Sequence, residues 1–411
     1  MDFQDTPEEG EFRAGVRAFL KAHAVPRAPG AAMVYRAGSE SAESRAKAKR
    51  WQALKADAGY AGITWPKEWG GRGKSAIEQV IYDQEEAHYA VPRGIFEIGL
   101  GMCIPTLCTW GTQQQRDRYA KPALRGEEIW CQLFSEPGAG SDLAGLRTRA
   151  ERDGEEWVIN GQKIWTSGAQ FCDWGVLVAR SDFAAPKHSG LSYFFLSMRS
   201  PGIEIRPIKQ ISGASHFNEV FFSNVRIPDH QRLGAIGEGW KVALTTLMNE
   251  RHTIGGRSGV DVEDLLELAR TLELEDGPAL KNKAVCEKLA DWYITSQGLK
   301  YTHLRTMTAL SRGQTPGPES SIGKLVNASK LQAMAAFAMD LMEQGGVIAD
   351  PAFAPLSALY QQVLMTSPAL RIAGGSDEIM RNIIAERVLG LPADVRVDKD
   401  LPFNQLPAGK H

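Results

Sequence analysis

The order in which the hydrophobic period changes along the chain predicts an α+β multidomain protein. It would have an N-terminal helical domain, a central β-barrel or sandwich domain, and a C-terminal bundle of helices. Three observations carry this. Helical spacing of apolar residues dominates as far as residue 128. Short apolar, β-branched and aromatic runs broken by Gly, Pro or Asn fill 129–236. Long helical patterns then resume after Gly237-Glu238-Gly239 and continue to 393, leaving 394–411 as an extended arm with prolines and charges.

In the first segment, Phe12, Val16, Phe19 and Leu20 fall at i, i+4, i+7 and i+8 within Glu11–Ala22, one face of a helix. The stretch GYAGITWPKEWGGRGKS, Gly59–Ser75, is too rich in Gly and Pro to continue that pattern. Helical character returns over Ala76–Ala90 and near Gln113–Ala120.

In the second segment, Glu156–Val158 and Gln162–Thr166 flank Asn160-Gly161, a dipeptide whose tolerance of positive φ signals a hairpin turn. Strand-like runs follow at Trp174–Ala179, Leu191–Met198, Ile203–Ile208 and Val220–Ile227. In the third, helical periodicity covers Trp240–Ile254, Val262–Leu274, Ala284–Ser311, Ile322–Glu343, Ala354–Val363 and Asp377–Leu389. There is no internal repeat.

With 411 residues and 43% hydrophobic residues, the chain has enough material for two or three packed units without covalent staples. A net charge of −2 gives no basic surface for nucleic acid. Five cysteines, with neither CxxC nor Cys/His metal spacing, point to free buried thiols, a reducing compartment and no metal site. No apolar run approaches the roughly 18 residues of a membrane span. The acidic start MDFQDTPEEGEFRAGVRAFL lacks the basic-then-apolar order of a secretory signal, so a cytoplasmic location is expected.

Two stretches carry chemistry. In CQLFSEPGAGSD, Cys131–Asp142, Gly138, Ala139 and Gly140 leave room for a ligand against the backbone, and successive free N–H groups suit a phosphate or a flavin edge. Ser135 and Ser141 add hydroxyls beside it. In NGQKIWTSG, Asn160–Gly168, Trp165 closes a strand and is followed by Thr166 and Ser167. An indole there suits the flank of a planar cofactor, and a hydroxyl suits its polar edge. Each stretch alone also fits an ordinary turn or a core tryptophan.

Together these stretches resemble the acyl-CoA dehydrogenase family. The resemblance extends over nearly the whole chain, through PKEWGGRG at 66–73, NEVFFSNVRIP at 218–228, GEGWKVA at 237–243 and GGSDEIMRNIIAERVLG at 374–390. It implies a helical domain, a β domain and a four-helix bundle, with FAD between the last two. It implies that Phe134 and Ser135 meet the isoalloxazine, and that Gly140 belongs to the same cofactor loop. Ser141 would lie near the pyrophosphate and the pantetheine arm of the thioester. Trp165 and Thr166 would pack on the ring, with Ser167 near its reactive nitrogen, and Ser376 and Glu378 would approach FAD from the last helix.

The departure from the family pattern concerns the base. Many members carry a catalytic glutamate just before the glycine of the C-terminal motif, where this chain has Gly374. A subset places it on the first bundle helix directly before an arginine, and here the run is Asn249-Glu250-Arg251. The resemblance therefore implies that Glu250 abstracts the α-proton while a hydride from the β-carbon passes to the flavin, giving a 2-enoyl-CoA. A carboxylate in a dry pocket has the raised pKa this step needs. The backbone N–H of Gly374 would stabilise the thioester oxygen, with Gly375 beside the acyl group and Arg251 positioning CoA.

Two further family features are not evident. The arginine-plus-Phe-Gly motif is missing around Ala269–Lys283, and Met342 stands where a glutamine precedes the Gly345-Gly346 pair, with Gln344 nearby. The implied partners are an acyl-CoA substrate and an electron-transferring flavoprotein, within a homotetramer or a mixed tetramer. Two alternatives stand beside this reading: a flavin-binding, non-catalytic subunit of a heteromeric dehydrogenase, and a related flavin oxidase or monooxygenase. His252, Thr306-Met307 and Met334–Met342 read as structural, and Glu263–Asp276 as a solvated face.

Overall fold

The computed structural model describes residues 5–27, 41–92, 94–254, 260–311, 317–393, 395, 398 and 400–406, and leaves out the side chains of 250–254, 307, 310, 311 and 320. Eleven α-helices appear in it: α1 Pro7–His23, α2 Ala42–Asp57, α3 Ala76–Glu86, α4 Ile104–Trp110, α5 Gln113–Leu124, α6 Gly239–Ile254, α7 Val262–Thr271, α8 Lys283–Ser311, α9 Ser320–Leu341, α10 Leu359–Leu370 and α11 Asp377–Ile383. Helix starts follow local chemistry. Thr6, Ser75, Thr112 and Asp261 each cap a helix and close a reciprocal capping box with the residue three positions on.

The chain divides into two compact units, Met1–Arg36 with Lys74–Val91 and Ile254–Ala393, and Ala37–Gly73 with Pro92–Thr253 and Asp394–His411. The first is helical. Leu265 and Leu268 on α7, Val285 and Leu289 on α8, Met334, Ala335 and Ala338 on α9 and Tyr360 on α10 share one buried core. Helix α10 starts later than the expected Ala354, because Leu356, Ser357 and Ala358 all take positive φ and break the pattern.

The second unit is built on an eight-stranded sheet: β1 Trp130–Leu133, β2 Arg149–Asp153, β3 Glu156–Ser167, β4 Trp174–Arg180, β5 Leu191–Ser197, β6 Ile203–Ile208, β7 Phe217–Pro228 and β8 Arg232–Leu233. The path runs β8-β5-β4-β2-β3-β7-β6, with β1 parallel to β4. The path is open at β8 and β6, so the expected barrel does not close. Strand β8 is only two residues long, and β6 pairs with β7 alone among the described residues. Strands β4 and β5 are buried on both faces. Leu177, Ala179, Phe194 and Leu196 enter one core, and Val176, Val178, Tyr193 and Phe195 the other. That two-sided burial is why both read as continuous apolar runs rather than alternating ones.

The hairpin expected at Asn160-Gly161 is corrected. Strand β3 continues through this dipeptide with a register shift against β7 between Ile159 and Gly161, and the turn lies earlier, at Gly154, between β2 and β3. A side chain at Gly161 would put a Cβ 2.6 Å from Thr148 Oγ1, so the glycine serves a close strand approach instead. Asn160 pairs across to β7: its Oδ1 accepts from Asn224 N at 2.9 Å, and its Nδ2 donates to Asn224 Oδ1 at 3.1 Å. All five cysteines are free thiols. Four are buried as expected and Cys286 is exposed.

Candidate active site

The Gly-rich loop leaves β1 at Phe134, which is buried and packs edge-on against Tyr193 with ring centroids 5.9 Å apart. Ser135 follows, half-buried, and its carbonyl accepts from Ile164 N at 2.9 Å. Glu136 and Ala139 then close a tight turn through reciprocal backbone bonds of 2.9 and 3.0 Å. Gly138 and Gly140 face space open among the described residues: a Cβ on either would meet none of their atoms within 4 Å. Neither takes positive φ, so room rather than backbone strain accounts for them. Ser141 is exposed at the end of the turn.

Beside this loop, β3 ends in an irregularity. Its pairing with β7 shifts register between Lys163 and Thr166, and Trp165 within the shift has φ +61. A bulky residue rarely adopts that conformation, which costs of order 1–3 kcal/mol unless the surroundings enforce it. The result is an indole 55% exposed, held edge-on to Phe217 at 5.9 Å. The bulge also reverses the inward phase, so Thr166 is buried and its Oγ1 has no hydrogen-bond partner among the described residues. Buried hydroxyls are normally bonded, so Thr166 keeps a hydrogen-bonding capacity that no described residue meets. Ser167 is half-buried next to it.

In the helical unit, Gly374 and Gly375 have φ +68 and +97, forming the turn into α11. Ser376 caps α11, its hydroxyl accepting from Ile379 N at 3.4 Å. Asp377 is nearly fully buried and bonds Arg371 Nε at 2.6 Å, while Lys324 donates to the Gly375 carbonyl. These contacts fix the glycine turn. Glu378 is exposed, 3.7 Å from Arg381. Hydrogen bonds from its own backbone and from Ser376 lower its pKa.

Phe134, Ser135, Gly140, Ser141, Trp165, Thr166 and Ser167 thus come together in one unit, and Gly374, Gly375, Ser376 and Glu378 in the other. The backbone of Glu250 and Arg251 lies on α6, and their side chains fall outside the described residues.

Sequence reasoning missed the residues that hold this geometry. Lys163 is fully buried, donates to Phe134 O at 2.9 Å and pairs with Glu136 Oε1 at 2.8 Å. Glu136 also accepts from the backbone of Arg147 at 2.6 Å and Thr148 at 2.9 Å, tying both ends of the loop. Burial alone would raise the Glu136 pKa, but Lys163 and these donors outweigh it and leave it lowered. Asn218, fully buried on β7, donates to Thr166 O at 3.0 Å, Gln170 Oε1 at 2.5 Å and His216 O at 3.2 Å, bracing the bulge. The available signal was parity: Lys163 falls in phase with the inward residues Trp157 and Ile159.

Comparison with known proteins assigns the class. Family profiles for the acyl-CoA dehydrogenase N-terminal, middle and C-terminal domains match residues 6–127, 131–225 and 237–389. The chain belongs to the acyl-CoA dehydrogenase family, and it is an oxidoreductase of a family that uses FAD.

Among its relatives, acyl-CoA dehydrogenase IpdE1 of Mycobacterium tuberculosis is 38% identical over 391 residues, 94% of this chain and 98% of that one. Acyl-CoA dehydrogenase FadE34 of the same organism is 42% identical over 346 residues, 84% of this chain. The match spans 46% of FadE34, under half its length. Among solved structures, the Tcur3481-Tcur3483 steroid ACAD superposes with a TM-score of 0.79 at 27% identity, covering 96% of this chain and all of that one. The ChsE4-ChsE5 complex from Mycobacterium tuberculosis gives 0.76 at 26% identity, with the same coverage. No helix among the described residues is long and apolar enough to cross a membrane.

Proposed function

We propose that this protein catalyses α,β-dehydrogenation of an acyl-CoA thioester, with Glu250 as the base. The observation that carries the cofactor side is the pairing of an exposed, strained Trp165 with the unpartnered buried hydroxyl of Thr166. These residues fit a flavin ring: an aromatic face to cover it and a polar atom to meet its edge. The open space at Gly138 and Gly140 fits a ligand lying against the loop backbone. In this reading Phe134, Ser135, Gly140, Ser141, Trp165, Thr166, Ser167, Ser376 and Glu378 hold FAD. The chemistry that FAD would supply there, when bound, is acceptance of the hydride leaving the β-carbon.

The protein supplies the rest. The carboxylate of Glu250 removes the α-proton, and the Gly374 N–H donates to the thioester oxygen as negative charge develops there. Ser141, Arg251 and Gly375 position the thioester and its CoA arm. Support for Glu250 is that Gly374 offers no side chain at the alternative position, while Glu250-Arg251 falls on the first helix after the β domain. The functional division is 1–128, 129–236, 237–393 and 394–411.

One relative is described as a steroid ACAD, which supports a bulky, ring-bearing acyl group. A solved neighbour is a two-component complex, which gives a mixed tetramer a place beside the homotetramer. An electron-transferring flavoprotein is the proposed acceptor. The test is to purify the protein, identify a bound yellow flavin, and add acyl-CoA without oxygen. Bleaching supports the dehydrogenase; a flavin that no acyl-CoA bleaches supports the non-catalytic subunit instead.

A further inference from the structure

Behind the Gly-rich loop lies a buried cation with no carboxylate hydrogen-bonded to it among the described residues. Arg180, near the end of β4, is fully buried. Its Nη2 donates to Ala144 O at 2.6 Å, its Nε to Leu146 O at 3.1 Å and its Nη1 to Lys187 O at 3.1 Å. Its backbone N–H bonds Thr148 O at 2.7 Å. One residue therefore fixes the run 144–148, which directly follows Ser141-Asp142. Burial pulls the Arg180 pKa down to about 10, against the pull of Glu136.

The closest cover of the guanidinium comes from far along the chain, and the nearby Phe183 adds a second ring with its centroid 5.8 Å from Arg180 Cζ. The Phe403 ring lies over Arg180, with Cζ 3.4 Å from its centroid, and Arg147 Cζ is 5.1 Å from the same ring. An aromatic face satisfies a desolvated cation without neutralising it. Phe403 is itself buried, and its segment is pinned by backbone bonds: Phe403 N to Ala185 O at 3.0 Å and Asn404 N to Phe183 O at 2.9 Å. A second tie links the same two regions. Lys187 Nζ bonds Asp398 at 2.5 Å and both carboxylate oxygens of Asp142, each at 3.2 Å.

We propose that Asp398 and the segment 400–406 form a clamp on the ligand loop, with Phe403, Asp398 and Lys187 as positioning residues. The sequence reads 394–411 as an extended arm; its described part carries a 3-10 turn at Phe403–Gln405, and its contacts give it a task. Phe403 closes the cage around Arg180, Arg180 holds 144–148, and Lys187 holds Asp142, so the loop between Glu136 and Thr148 is anchored from beneath. The functional consequence rests on the proposed reading of this loop as the FAD site.

The test is amide hydrogen exchange of the holoenzyme, paired with FAD titration of the apoprotein followed by flavin fluorescence. Phe403→Ala should speed exchange in peptides covering 138–148 by about tenfold, within what a desolvated cation–π contact is worth. Peptides from β5 and α8 should keep their rates. The FAD dissociation constant should rise by a similar factor. Phe403→Tyr, which keeps the ring, should restore both. If Phe403→Ala does not fold, Asp398→Asn carries the same test, with exchange in 138–148 faster by about twofold, the scale of a partly exposed ion pair.

Unchanged loop exchange, or acceleration spread evenly over the sheet, overturns the clamp. Faster loop exchange with unaltered FAD affinity upholds the clamp and overturns the assignment of FAD to this loop.

Discussion

Lys163 Nζ sits 2.8 Å from Glu136 Oε1, joining the strand that carries Trp165 to the loop that carries Ser135. Both groups are withdrawn from water, so removing one partner strands the other. Glu136→Gln should lower stability by about 3 kcal/mol, and Lys163→Met by a similar amount through loss of the loop anchor. The double variant Glu136→Gln/Lys163→Met should be less destabilised than the sum, because no charge is left uncompensated. Urea unfolding of the four proteins decides it. Strict additivity would mean that the pair is not coupled.

The same pair gives acid sensitivity a sign. Glu136 has a folded pKa below its ordinary value of 4.5, so the unfolded chain binds its proton more readily. Its contribution is fully present above pH 4.5 and is lost as the pH falls through the lowered folded value. The acid limb of the stability profile should therefore be shallower in Glu136→Gln than in the parent.

Thr166→Val separates cofactor binding from folding. The hydroxyl is buried and has no hydrogen-bond partner among the described residues, and such a group costs about 1–3 kcal/mol. Replacing it with an isosteric methyl should raise the melting temperature of the apoprotein. The FAD dissociation constant should increase roughly tenfold, the value of a lost hydrogen bond. A variant that loses apoprotein stability would show that the hydroxyl has a structural partner after all.

The fold was legible where burial follows a simple period. Phe12, Val16, Phe19 and Leu20 belong to one helix, and the runs at 174–179, 191–198 and 203–208 correspond to strands at 174–180, 191–197 and 203–208 because two-sided burial or alternation leaves a local mark. Asn160-Gly161 misled because a dipeptide that favours a turn also fits a close strand crossing, and only the position of Thr148 distinguishes the two. Trp165 and Thr166 were legible as a motif, but their exposure was not. The bulge that turns the indole outward depends on Asn218, which is 52 residues away in sequence from Thr166. Lys163 and Arg180 escaped because a cation reads as surface until its distant partners are known.

Glu250→Gln should keep FAD bound while anaerobic flavin reduction falls by about 10²-fold or more, the scale of general-base loss. Undiminished reduction would remove Glu250 from the mechanism. Gly374→Glu in that background probes the alternative position. The residue has φ +68, so a side chain there should cost roughly 1–2 kcal/mol of stability. Partial recovery of activity despite that cost would show that both positions serve one α-carbon.

Substrate breadth follows from the same glycine. With no side chain at Gly374, the position next to the proposed acyl site has less volume than in members carrying a glutamate there. Gly375 cannot readily fill the gap: it has φ +97, and an added Cβ would sit 2.4 Å from Met380 Cε. The methionine end can swing away, but the backbone conformation still penalises any L side chain. Space beside the reacting carbons favours branched or ring-bearing acyl groups, yet one methylene alters discrimination by only about 1–3 kcal/mol. The expectation is therefore broad tolerance with a preference for bulk. Specificity constants for straight, branched and ring-bearing acyl-CoAs provide the measurement. If a straight medium chain wins by more than about tenfold, a margin within one methylene's worth, another side chain occupies the space and the inference fails.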